Sequence, residues 1–231
     1  MDGGGFVNKT ILYYTDNTVP PYIGDVVQHY LLKSGLPILS ISHKPMDFGH
    51  NICVGDIGRS KASMTLQVLL GLYNTDADII FLAEHDVLYH PSHFDFIPED
   101  PNTLYFNHNF WRVNAKSGFN FKSGHHGAKS QVCAMREGLY NRFEERLDYM
   151  VNGKPLSGLQ GYHWYTKPPP STSPVFKFDR WYSEYGNIDI RHGGNISGSR
   201  HFSEKRTKPI PGWGITLGRF EEFLKEGKNV L

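Results

Sequence analysis

The 231-residue chain is 39% hydrophobic and 20% charged with a formal net charge of +1, which suits one large domain or a domain with an insertion and excludes a global field for nucleic acid or an acidic partner. Two cysteines, Cys53 and Cys133, exclude a disulfide framework and make a reducing cytoplasm the expected setting. No apolar run nears the roughly 20 residues that span a bilayer, and the opening MDGGGFVNKT lacks the charged-then-apolar pattern of a signal peptide, so no integral membrane association is expected.

In chain order, residues 11–15 (ILYYT) form a short β-prone run. After a turn with Pro20 and Pro21, apolar residues recur at helical spacing at Ile23, Val26, Val27, Tyr30 and Leu31, and Gly35 ends that helix. Residues 36–42 (LPILSIS) read as a second strand, apolar enough to be covered on both faces. A loop with several glycines, KPMDFGHNICVGDIGRSK, leads to a second helix whose predicted buried face is Ala62, Leu66, Leu69, Leu70 and Tyr73. Residues 78–82 (DIIFL) are the third strand. The alternation predicts an α/β fold with a mostly parallel sheet, its strands advancing side by side and helices on its faces.

The second half is less regular. TLYFNHNFWRVN reads as one or two strands, and residues 134–150 as a helix with Leu139, Phe143, Leu147 and Met150 on one face. Residues 153–174 are expected to be a loop or lid. A strand is expected at Asn187–Arg191 and a last helix at 217–226.

The chemistry concentrates where the third strand ends. FLAEHDVLYHP sets Glu84, His85 and Asp86 in a row, and in open α/β sheets ligands bind beyond the carboxyl ends of strands. A carboxylate there can hold a divalent cation that bridges phosphate oxygens: Mg²⁺ prefers oxygen ligands, while Mn²⁺ also tolerates imidazole. Acidic residues after a strand also cap turns, so the motif alone leaves both roles open. The loop before the second helix adds Gly55, Gly58, Arg59 and Lys61, suited to phosphate at a helix start, although neither GxxxxGK[ST] nor GxGxxG is present. Late in the chain, IDIRHGGNISGS delivers His192 into a glycine-rich turn, where an imidazole can reach a metal or phosphate.

Strand–helix–strand–helix–strand, then a short acidic motif, then a late histidine, resembles the GT-A fold of nucleotide-sugar-dependent glycosyltransferases. The resemblance implies a Rossmann-like single catalytic domain over 1–231, with a donor-binding half at about 1–110 and a less regular acceptor-binding, metal-completing half at about 111–231. It implies Mn²⁺ or Mg²⁺ as cofactor, Asp86 and His192 as metal ligands, and Glu84 where the family often has Asp. Arg59 matches the family's basic residue by the nucleotide, and the donor is expected to be a nucleoside diphosphate sugar with UDP as carrier. Lys61 or Arg191 could add fixed charge. Thr15 and Asp16 follow the first strand, where Asp16 could accept from a base or ribose, or simply end the turn. An inverting enzyme needs a base, for which Glu137, Asp179 and Glu184 are the candidates; a retaining one needs none.

The acceptor is open among a glycan, a small molecule and a hydroxymethylated DNA base. His125, His126, Trp111 and Arg112 are expected on its side, and the basic run 191–208 could meet an anionic partner. A sugar nucleotidyltransferase is the first alternative, but the segment after the first strand, YYTDNTVPPYIG, holds no Lys or Arg and only one Gly. A non-catalytic nucleic-acid binding module leaves the carboxylates unexplained, because they repel phosphate without a cation. A zinc hydrolase lacks HExxH or paired Cys spacing.

Overall fold

The computed structural model describes residues 7–123, 128–152, 177–195, 208–214 and 219–226. They form a mixed α/β architecture with two sheets. The larger has seven strands in the order β10-β6-β9-β4-β1-β2-β3, and the smaller has four in the order β5-β11-β7-β8. The strands of the large sheet are β1 (Lys9–Thr15), β2 (Ile38–Ser42), β3 (His50–Cys53), β4 (Ile79–Glu84), β6 (Thr103–Asn107), β9 (Val132–Met135) and β10 (Lys177–Trp181). All run parallel except β9, which is antiparallel to both its neighbours. The small sheet holds β5 (Val87–Leu88), β7 (Phe110–Asn114), β8 (Asn120–Ser123) and β11 (Asn187–Arg191). This is a Rossmann-like, GT-A-like arrangement.

Strand order differs from the expectation in one respect that matters. The strands do not advance in one direction: β2 and β3 lie on one side of β1 and β4 on the other. The reversal opens a crevice at the carboxyl ends of β1 and β4, where the loops diverge.

Alternation along β1 divides the core. Ile11 and Tyr13 face α1 (Pro21–Leu32), α4 (Phe220–Glu226) and Trp213, while Leu12 and Tyr14 face α2 (Lys61–Tyr73) and α3 (Arg136–Val151). Helix α1 buries Ile23, Val26, Val27, Tyr30 and Leu31, as its spacing predicts.

Helix α2 turns a different face inward from the one predicted. Ser63, Thr65, Gln67, Val68, Gly71 and Leu72 are buried, whereas Leu66 is 44% and Tyr73 78% exposed. Two contacts explain the rotation. A Cβ on Gly71 would lie 2.2 Å from Leu12 Cδ1, so the helix approaches β1 closely only through a glycine. The Gln67 amide, buried beneath it, donates to the carbonyls of Thr15 at 2.8 Å and Ile41 at 3.1 Å, satisfying groups at the ends of β1 and β2.

The expected helix at 134–150 begins two residues later, because VCAM is strand β9. TLYFNHNFWRVN resolves into two strands in different sheets, β6 and β7. Strands β3 and β10 were not foreseen. Residues 153–174, His125, His126, most of the 191–208 basic run and the start of the predicted 217–226 helix lie outside the described residues.

A buried polar network joins the two sheets. His93 Nδ1 accepts from the side-chain amides of Asn107 at 3.0 Å and Asn187 at 2.9 Å, and the ring is packed among Phe81, Tyr89, Phe94 and Trp181. Burial pushes its pKa down from 6.5 to about 3. On acidification the unfolded chain therefore takes up a proton near pH 6.5 that the folded chain refuses until about pH 3. This stabilising contribution is complete above pH 6.5 and shrinks as the pH falls towards 3. Urea denaturation at pH 7.5 and 5.0 should show a loss of about 2 kcal/mol that His93→Gln does not suffer. Equal losses in both proteins would contradict a neutral buried ring.

Candidate active site

The site forms where the chain passes from one sheet to the other. Glu84 is the last residue of β4, and only His85 and Asp86 separate it from β5. Strand β11 runs antiparallel to β5, and Ile190 N–H donates to the Asp86 carbonyl at 2.8 Å. The residue that follows β11, His192, is thereby brought beside Asp86, with Nε2 3.7 Å from Asp86 Oδ2.

The His192 side chain is only 5% exposed, and its Nε2 is a buried polar atom with no hydrogen-bond partner among the described residues. Its other ring nitrogen, Nδ1, accepts the Gly194 N–H at 3.1 Å. In the neutral ring the proton therefore sits on Nε2. Asp86 Oδ2 accepts from Asn195 Nδ2 at 2.6 Å. Burial would raise the Asp86 pKa, but His192, His85 and Arg191 around it outweigh burial and hold it below the ordinary carboxylate range.

Glu84 behaves differently. It sits on the α2/α3 face, where its Oε1 accepts from Tyr14 O–H at 2.6 Å, and its backbone N–H donates to Tyr89 Oη at 3.0 Å. Burial, with Asp86 adding to it, pushes its pKa up to about 7. One oxygen of its carboxyl is thus held by Tyr14. The strand is two residues longer than the apolar run suggests, so Glu84 belongs to the sheet rather than to the ligand loop.

Across the crevice, Thr15 ends β1 and Asp16 follows. His85 Nδ1 lies 2.7 Å from Thr15 Oγ1 and 3.6 Å from Asp16 Oδ1. Asp16 Oδ1 accepts the N–H and O–H of Thr18, and Oδ2 accepts Arg59 Nε–H at 2.5 Å. Burial works to raise the Asp16 pKa, yet the Thr18 hydrogen bonds, His85 and Arg59 keep it lowered. The Arg59 guanidinium also donates to the Gly194 carbonyl. One side chain from the loop before α2 thus ties the end of β1 to the turn after β11. Lys61 is the first residue of α2, half-buried behind the Ser60 cap. Arg191 Nη2 donates to Asp189 Oδ2 at 2.7 Å, and Arg112 Nε approaches the same oxygen at 3.3 Å.

The three expected bases stand elsewhere. Glu137 is exposed in the first turn of α3, where Arg136 N–H bonds the Asp78 carbonyl at the amino end of β4. That is the far edge of the sheet, roughly 20 Å from Asp86 along the strand. Asp179 is exposed on edge strand β10 and accepts from the N–H of its neighbour Arg180 at 2.8 Å. It lies three strand spacings, about 14 Å, from β4. Glu184 is exposed before the amino end of β11, whereas His192 follows the carboxyl end. The structure brings Thr15, Asp16, Arg59, Asp86 and His192 together, with Arg191 adjoining, and leaves these three carboxylates outside.

Residues that sequence reasoning missed are Gln67, Tyr14, Tyr89 and Asn195. Tyr89 Oη both accepts the Glu84 N–H and donates to the Ser130 carbonyl at 2.8 Å, pinning the turn that carries Asp86.

No known protein-family model matches the chain, and no curated protein matches it. Solved structures of similar fold include a glycosyltransferase involved in the glycosylation of the major capsid of PBCV-1, with 8% identity over 76% of this chain and 82% of that one, at a TM-score of 0.44. The apo-form glycosyltransferase GlyE of Streptococcus pneumoniae TIGR4 is 13% identical over 64% of this chain and 39% of its own, at 0.39. The inositol-1-phosphate CTP transferase from T. maritima is 11% identical over 64% of this chain and 83% of its own, at 0.38. These scores are too low to carry an activity across, so the functional reading stands on the site. Among the described residues, no helix is long and apolar enough to cross a membrane.

Proposed function

We propose that the protein is a metal-dependent glycosyltransferase. It moves a hexosyl or pentosyl group from a nucleoside diphosphate sugar, with UDP as carrier, to an acceptor hydroxyl on a glycan, a small molecule or a hydroxymethylated DNA base. The observation that supports it is the meeting of Asp86 and His192, 106 residues apart in sequence (192 minus 86), at the sheet's carboxyl edge.

The donor set suits the cation. Asp86 offers an ionised carboxylate and His192 a buried Nε2 without a hydrogen-bond partner among the described residues, an oxygen-and-nitrogen pair that suits Mn²⁺ once the ring proton moves to Nδ1, while Mg²⁺ would rely on the oxygen. Among the described residues no group of three or more His, Cys, Asp or Glu is placed to hold an ion. Asp86 and His192 would therefore hold it jointly with the donor's diphosphate. The bound cation would neutralise charge on the leaving diphosphate.

The chain's own residues supply the rest. Thr15 and Asp16 border the nucleotide side of the crevice, and Arg59 brings fixed positive charge there. Lys61 stands at the start of α2, where backbone N–H groups favour phosphate. Arg191 keeps positive charge beside Asp86 while neutralising Asp189. Glu137, Asp179 and Glu184 have no part in proton transfer in this reading. The first half, about 1–110, is the donor side, and the second, about 111–231, completes the cation site.

Calorimetric titration with UDP tests it. With Mn²⁺ present, UDP should bind about ten-fold tighter or more, and by linkage Mn²⁺ should bind tighter with UDP by the same factor. UDP affinity indifferent to the cation would count against the proposal. A screen of nucleotide sugars for Mn²⁺-dependent hydrolysis then identifies the donor.

A further inference from the structure

We infer that Asn195 is the positioning residue of the proposed cation site, its single amide setting both Asp86 and His192; the inference rests on the reading above. The amide touches each of them. Its Nδ2 donates to Asp86 Oδ2 at 2.6 Å and to the Ile190 carbonyl at 3.3 Å, and its Oδ1 accepts the His192 backbone N–H at 2.6 Å. The end of β11, the histidine after it and the carboxylate from the β4–β5 turn are thus held by one side chain.

Two consequences follow for the ligands. Asp86 Oδ2 accepts the Asn195 amide, which fixes the carboxylate plane and leaves its remaining lone pairs to a ligand. On the histidine, Asn195 grips the backbone and neither ring nitrogen. That distinction matters because Nε2 carries the ring proton in this arrangement. For Nε2 to offer a lone pair, the proton must pass to Nδ1, and Nδ1 must give up the Gly194 N–H. The Asn195 contacts survive that exchange, so the imidazole can change partners while its Cα stays beside Asp86.

The residue type fits this role and few others do. A planar amide presents a donor and an acceptor on opposite arms. Aspartate would set a second carboxylate 2.6 Å from Asp86 Oδ2, and serine is too short to reach both groups. The buried, unpartnered Nε2 is an independent sign that the assembly is built to receive something.

The test measures Mn²⁺ binding in the presence of UDP by electron paramagnetic resonance in wild type, Asn195→Ala, Asn195→Ser and Asp86→Ala. Loss of an outer-shell partner of this kind should weaken Mn²⁺ by about ten- to a hundred-fold in either Asn195 variant. At saturating Mn²⁺ the resonance spectrum of the bound ion should match that of wild type, since no ligand has been removed. The second substitution keeps the test alive should the first fail to fold. Wild-type Mn²⁺ affinity in both Asn195 variants, with affinity lost in Asp86→Ala, overturns the inference and leaves the cation site standing. Unchanged affinity with an altered spectrum at saturating Mn²⁺ also overturns it. Wild-type affinity in Asp86→Ala removes the cation site itself, and the inference with it.

Discussion

Asp86→Asn should reduce metal-dependent turnover of the sugar donor by about a thousand-fold while leaving the fold intact. The magnitude is that of removing a preorganised charge-stabilising group from a partly buried site. The substitution is nearly isosteric, and the new side-chain carbonyl can still accept the Asn195 N–H that now reaches Oδ2. What disappears is the negative charge that His85, Arg191 and His192 keep ionised. Circular dichroism and the melting temperature should stay close to wild type, so the loss can be assigned to chemistry. Turnover within ten-fold of wild type, with the same cation requirement, would show that Asp86 does not hold the ion.

The largest loss of stability should come from Asn187→Leu, about 3 to 5 kcal/mol by urea denaturation. Asn187 is fully buried on β11, and three contacts depend on its side chain. Its Nδ2 donates to Gln131 Oε1 at 2.7 Å and approaches His93 Nδ1 at 2.9 Å, and its Oδ1 accepts the His90 N–H at 3.0 Å. Leucine has a similar volume but satisfies none of them. Each buried group left without a partner costs about 1 to 3 kcal/mol, against a typical total stability of about 5 to 15 kcal/mol. Leu66→Ala, which truncates an exposed apolar residue of α2, should cost well under 1 kcal/mol. A loss below 1 kcal/mol in Asn187→Leu would mean that the network does not join the sheets as described.

How much of this was legible in the sequence follows from where each element lies. Strands β1, β2 and β4 are covered on both faces, so their residues form continuous apolar runs bounded by turn residues. Strand β11 falls where the pattern puts it. Strands β3 and β10 are edges with exposed polar side chains, HNIC and KFDRW, and nothing in their composition distinguishes them from loop. The face of α2 was misjudged because hydrophobic spacing selects Leu66 and Tyr73, while close approach to the sheet selects Gly71 and Gln67. Periodicity cannot weigh a buried amide that caps two strand ends.

For the site, Asp86 and His192 could be singled out by their positions after strands, but a separation of 106 residues carries no distance. The pairing of β5 with β11 supplies it. Glu137, Asp179 and Glu184 drew notice as carboxylates near helix starts and aromatics, and only topology shows them on other edges. Asn195 looks like any asparagine in a glycine-rich turn until its two arms are traced to two separate segments.

The passage of the chain between the two sheets through His85 and Asp86 has a mechanical consequence. Asp86 and His192 both ride on the small sheet, bound to one another through β5, β11 and Asn195, whereas Thr15 and Asp16 are anchored in the large one. The mutual alignment of the two candidate ligands is set within the small sheet, and the Arg59–Gly194 and His85–Thr15 contacts seat that unit against the end of β1.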